Sequence, residues 1–259
     1  VATDRRLRIV LGLVLAAAAA CGQSWVSRYN GPASDEDYAV GIAVDASGAV
    51  AVTGTSWGGT SANDIATVKY GASGESLWVA RYDGPAGGSD EARAIATSGN
   101  LVIVTGGSAA ADLMTDVLTV CYGAAGSPAW TARYDGPARG NDHGLAVAVD
   151  GAGNSYVAGY AGGDTMGWDF VTLKYDAAGT EQWARVHAAG EEDYAVAVAP
   201  DGSGNVYVAG NSGSPYTLSW DYVVVKYDAA TGETLWTRRY NGPADERDEV
   251  CAVAVDRQG

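Results

Sequence analysis

One phenylalanine, two histidines and three cysteines occur in 259 residues. Two histidines leave little room for His-based metal or acid–base chemistry, and three cysteines cannot build the disulfide framework of a small secreted domain. Basic residues are scarce too: 16 Lys and Arg face 31 Asp and Glu, a formal net charge of −15. With no basic stripe to offset that charge, a nucleic-acid backbone would be repelled, which excludes nucleic acid as a partner. After residue 21 no apolar stripe repeats every 3.6 residues, so helices are not expected. What is abundant is 36 Gly, 15 Tyr and 8 Trp, with many Val and Thr. Such a composition favours an all-β chain, long enough to bury a core in one or two domains.

The amino end differs from the rest. VATDRRLRIV carries Arg5, Arg6 and Arg8, the apolar LGLVLAAAAA follows, and Cys21 comes next. A basic start, a short apolar run and small residues describe a signal peptide over 1–20, and the run is too short to span a bilayer comfortably. The arrangement resembles the bacterial lipoprotein signal, which implies that Cys21 becomes the lipidated first residue. Ala18 stands where that signal usually has Leu, with Leu15 nearby, so plain secretion after a nearby cut is the alternative. Localisation is then the cell envelope or outer surface, otherwise the medium. Val1 in place of Met implies an alternative start or a fragment.

Residues 21–259 repeat one phrase. Trp25, Trp78, Trp130 and Trp236 open a W-x-x-R-Y stretch, and Trp183 holds the slot as WARVH, at steps of 53, 52, 53 and 53 residues. This period signals a propeller, solenoid or array. Each unit divides into four strands with Gly and Asp or Asn at tight turns, as in YAVAVAP, NVYVAG, DYVVVKY and ETLWTRRY. Four antiparallel strands per unit of about 53 residues make one β-propeller blade. The third strands, such as DIATVKY, are apolar on both faces, as blades stacked between neighbours require. The five Trp residues are the expected anchors between blades. Four full blades with partial ends are expected, an incomplete propeller truncated at the C-terminal end.

AVDASGAVAVTGTS, VAVDGAGNSYVAGY and DIATVKYGASGESLW resemble SBBP (seven-bladed β-propeller) and delta-60 type repeats, while YDAATGETLW is similar to the D-x-x-x-G-x-x-x-W hairpin of quinoprotein-type propellers. The resemblance spans residues 24–259. It implies an extracytoplasmic propeller and supplies no catalytic residues or cofactor.

Some motifs mislead. Gly54-Thr55-Ser56-Trp57-Gly58 fits G-x-S-x-G, but it follows a strand and leads to another strand, not into the helix that a nucleophile elbow needs. Trp168-Asp169 and Trp220-Asp221 begin strands in units longer than a WD40 repeat. His143 and His187 do not recur in sister units, and Cys121 and Cys251 read as isolated strand substitutions.

The loops are asymmetric. First-to-second and third-to-fourth turns are short, whereas second-to-third loops (TSWGGTSAN, GSAAADLMT, YAGGDTMGW, NSGSPYTLSW) are long and varied. The exits from fourth strands are acidic and emerge on the same face as those loops. Long variable loops on a rigid scaffold are where function concentrates. Asp37, Asp90, Asp142, Asp193 and Asp248 precede innermost strands and are expected around the channel mouth; Asp64, Asp116, Asp169 and Asp221 precede third strands on the same side. Turn fixation through backbone N–H groups is the main role expected of such carboxylates. Their negative rim, with Trp57, Trp168, Trp220 and Tyr216 exposed among the loops, also suits Ca²⁺, a glycan or a basic peptide or protein segment. No other cofactor is expected. The favoured function is a non-catalytic binding or scaffold module. The alternative is a propeller hydrolase, lyase or oxidoreductase at the channel mouth, for which only Arg93 and His143 stand out from their slots.

Overall fold

The computed structural model describes residues 25–59, 62–112, 114–138, 140–162, 167–188, 190–214, 216, 219–243 and 246–256. The signal peptide and Cys21 lie outside the described residues. Sixteen strands form four blades, with no helix among the described residues. The first blade holds β1 (Asp37–Val44), β2 (Val50–Trp57), β3 (Asn63–Tyr70) and β4 (Ser76–Tyr82). The second holds β5 (Asp90–Ser98), β6 (Leu101–Ala109), β7 (Thr115–Tyr122) and β8 (Pro128–Tyr134). The third holds β9 (His143–Val149), β10 (Ser155–Gly162), β11 (Trp168–Tyr175) and β12 (Glu181–His187). The fourth holds β13 (Glu192–Pro200), β14 (Asn205–Gly213), β15 (Trp220–Asp228) and β16 (Thr234–Tyr240). Every blade is an antiparallel meander in chain order; one parallel bridge, Trp168 to Glu192, ties the third blade to the fourth. The innermost strands β1, β5, β9 and β13 pack side by side in sequence order.

Stacking explains the apolar third strands. β7 and β11 are buried over most of their length because each has a blade against both faces, and seven of the eight residues of β3 are buried between the second blade and the segment that carries Trp25. The Trp anchors work as a relay. Trp25 meets Tyr70, Trp78 meets Tyr122, Trp130 meets Tyr175, all at 5.8 Å between ring centroids, and Trp183 meets Tyr227 at 6.0 Å. Each ring also covers a hairpin glycine of the following blade. Gly74, Gly126, Gly179 and Gly232 have positive φ of 87°, 82°, 83° and 71°, which the turn requires, and a side chain there would enter the indole. The D-x-x-x-G-x-x-x-W hairpin is therefore half of a joint completed by the Trp of the preceding unit. Trp236 instead packs edge-on to Tyr207 within its own blade, at 5.9 Å.

Each innermost strand carries a bulge at the same place, with Val40, Arg93, Leu145 or Val196 as the extra residue. Opposite it stands Gly54, Gly106, Gly159 or Gly210, where a Cβ would overlap the carbonyl oxygen of the bulged strand. A bulge breaks the strict alternation of faces and re-aims the side chain it carries.

Candidate functional site

Both kinds of long connection emerge where the innermost and third strands begin. There the Asp series is tied into the backbone. Asp37 accepts the Gly31 N–H at 2.7 Å, Asp90 the Gly84 N–H at 2.6 Å, and Asp193 the Gly190 N–H at 2.8 Å. Asp142 accepts two, from Gly136 at 2.6 Å and Gly162 at 2.7 Å, and Asp248 accepts that of Gly242. Asp90, Asp142 and Asp193 thereby staple the exit of one blade to the first strand of the next, and Asp37 and Asp248 close the same kind of loop before the first blade and after the fourth. Asp90, Asp142 and Asp193 are fully buried, below the rim rather than on it, and Asp37 and Asp248 are half-buried. Burial pushes the Asp142 carboxyl up to about 6, with Asp135 and Asp116 adding repulsion, and raises Asp90 as well.

The Asp residues that open third strands meet arginines from fourth strands. Arg81 pairs with Asp64 at 2.7 Å, Arg133 with Asp116 at 2.9 Å, and Arg239 with Asp221. The W-x-x-R-Y pattern thus supplies one cation per acidic corner, although WARVH places Val186 in that slot. Where the exit reads YDGP, a third carboxylate joins. Asp64, Asp83 and Asp90 offer oxygens within 4.8 Å of one another, and so do Asp116, Asp135 and Asp142. Asp64 Oδ1 is buried with no hydrogen-bond partner among the described residues.

Of the aromatic residues expected here, Trp57 and Trp168 are exposed at 38% and 39%, and Tyr216 at 84%. Trp220 is a correction: it is 5% exposed, with Tyr194 at 5.3 Å and the Arg247 guanidinium 5.8 Å from its ring. Trp168 and Trp220 both start a third strand opposite a glycine, Gly162 and Gly213, and both meet a Tyr of their own blade; Trp220 is covered in addition by Arg247, from the segment after the fourth blade.

Sequence reasoning did not bring together the residues of a cavity of about 290 Å³ between the second and third blades on this face. Ser89, Glu91, Arg93, Gly107 and Thr115 line it from the second blade, and Asn141 and His143 from the third. Arg93 Nη2 donates to Glu91 Oε2 at 2.7 Å, and both side chains are substantially exposed. His143 Nδ1 is buried without a hydrogen-bond partner among the described residues. Burial, with the nearby Arg93 charge, lowers the pKa of this imidazole. The His143 ring rests on Tyr160 at 5.3 Å, which in turn meets Trp168 at 5.0 Å. The departure of Arg93 and His143 from their slots was the available signal.

No family profile and no curated protein matches the chain. Solved structures similar to it include the β-propeller domain of the trilobed protease from Pyrococcus furiosus, described as having an open velcro topology. The two are 7% identical with a TM-score of 0.44 over 77% of this chain, which spans 57% of the other. A thermostable family-43 glycoside hydrolase is 11% identical, TM-score 0.45, over 83% of this chain and 76% of its own. A eukaryotic initiation factor is 10% identical, TM-score 0.38, over 76% and 53%. The chain is an all-β propeller by its own four-stranded blades.

Proposed function

We propose that this protein is a non-catalytic binding or scaffold propeller, exported and held to the cell envelope through lipid on Cys21, with its ligand on the acidic long-loop face. The observation that carries the reading is the exposure of Trp57, Trp168 and Tyr216 on that face, above sheets rigid enough to hold them. Exposed rings on a fixed scaffold give contact area at low entropic cost. Carboxylates around them suit hydroxyl-rich or positively charged partners and Ca²⁺. For a cation, each of the two Asp triads brings three oxygens together, one per carboxylate, fewer than the six to eight that Ca²⁺ takes. The affinity expected is about 10⁻⁴–10⁻³ M, as in extracellular modules.

The test is a glycan and small-molecule array probed with the full-length protein, with and without millimolar Ca²⁺, beside a Trp57→Ala, Trp168→Ala double variant. Binding that the double variant loses supports the reading; binding that it retains in full refutes the aromatic platform. Labelled palmitate taken up by the wild type and refused by Cys21→Ala tests the anchor.

A further inference from the structure

Comparison with the sister blades shows what the second blade lacks beside this cavity. The residue after each exit Asp lies across from the residue after the bulge-facing glycine: Tyr38 and Thr55, Glu91 and Gly107, His143 and Tyr160, Tyr194 and Asn211. The first, third and fourth blades place at least one ring in that pair. The second places none. Gly107 cannot carry one, because the His143 ring and the Thr115 methyl occupy the place its side chain would take. At the bulge, where sisters carry Val40, Leu145 and Val196, this blade carries Arg93. A missing ring and a re-aimed cation thus coincide at one spot.

We infer that this cavity binds one ring-sized, uncharged, hydroxyl-rich molecule, a single sugar residue of a free or glycan-borne saccharide, between Glu91 and Arg93 on one side and His143 and Asn141 on the other. This rests on the binding reading above and names its site and ligand class. The volume, about 290 Å³, is at the small end for ligand pockets, which excludes an extended peptide side. Charge complementarity excludes ions. Arg93 is already paired with Glu91 at 2.7 Å, so an added anion would face Glu91 and an added cation would face Arg93. Hydroxyl groups avoid both conflicts because they donate and accept. Glu91 accepts an O–H; Arg93 keeps further N–H donors. The Asn141 Oδ1 accepts the Thr115 N–H at 3.1 Å, leaving its amide N–H₂ to donate. The Tyr160 and Trp168 rings continue outward from His143, so a longer saccharide has a surface on which to stack beyond the cavity.

The experiment uses the full chain, saturation-transfer NMR and titration calorimetry. Probes are the methyl glycosides of glucose, galactose, mannose and N-acetylglucosamine, with acetate, phosphate and choline as charged arms. At least one glycoside is expected to bind with a Kd of about 1 mM, the range open to a small ligand with a few hydrogen bonds. Glu91→Tyr restores the ring of the sister blades, and Arg93→Val restores their bulge residue, so both variants keep a blade that this fold already builds. Each is expected to weaken binding by about tenfold or more. No binding by any glycoside overturns the proposal, as does preferential binding of a charged arm. Glycoside binding that survives both variants but disappears in Trp57→Ala also overturns it, while leaving the long-loop face as the binding surface.

Discussion

Trp78 is the most direct test of the joint between blades. It is 9% exposed, its ring 5.8 Å from Tyr122 and pressed on Gly126 of the second blade. Trp78→Ala removes the indole from between two sheets that cannot close the gap without sliding. Truncating a buried Trp to Ala costs about 3–5 kcal/mol, transfer and cavity together. At about 2–4 °C per kcal/mol for a chain of this size, the melting midpoint should fall by about 6–20 °C. Thermal unfolding followed by circular dichroism at one fixed scan rate reads this difference even where unfolding is irreversible. Trp57→Ala is the control, since its ring is 38% exposed and truncation should shift stability by about 0.5 kcal/mol or less. Gly126→Ala attacks the same joint from the other side, adding strain at a φ of 82° and contact with the indole. If Trp78→Ala moves the midpoint no further than Trp57→Ala does, the relay of Trp, Tyr and turn glycine is not what holds blades together.

Lys69 and Asp45 form an ion pair at 2.8 Å with side chains only 5% and 2% exposed. Asp45→Ser alone strands a buried ammonium and should cost about 3–5 kcal/mol. Adding Lys69→Cys, which reproduces Ser98 and Cys121 of the second blade, should recover most of that loss; a double variant no more stable than the single refutes the coupling. Asp142 predicts a pH dependence. Its folded pKa, about 6, lies above the ordinary 3.8, so its contribution is fully present below about pH 3.8 and is lost as pH rises through about 6. The melting midpoint of the wild type minus that of Asp142→Asn should therefore fall between about pH 4 and pH 7. A difference that is flat or rises with pH contradicts the burial argument.

The repeat of about 53 residues fixed the blades, and the turn glycines fixed their hairpins, because these are local: period, alternation and positive φ are properties of short stretches. The joint was half legible, since Trp78 declares itself as an anchor but its seat on Gly126 belongs to another unit. The bulge at Val40, Arg93, Leu145 and Val196 left no mark in the pattern, for an extra residue shifts the face of everything after it without changing any residue type. Burial of Asp90, Asp142 and Asp193 likewise depended on the exit turn folding back over the next strand. Trp220 is covered by Arg247, which reaches it from the segment after the fourth blade. Only assembly brought Glu91 and Arg93 of one blade opposite His143 of the next. Which side chains face one another across a blade boundary depends on register and radial packing, and neither is encoded within any single stretch of the chain.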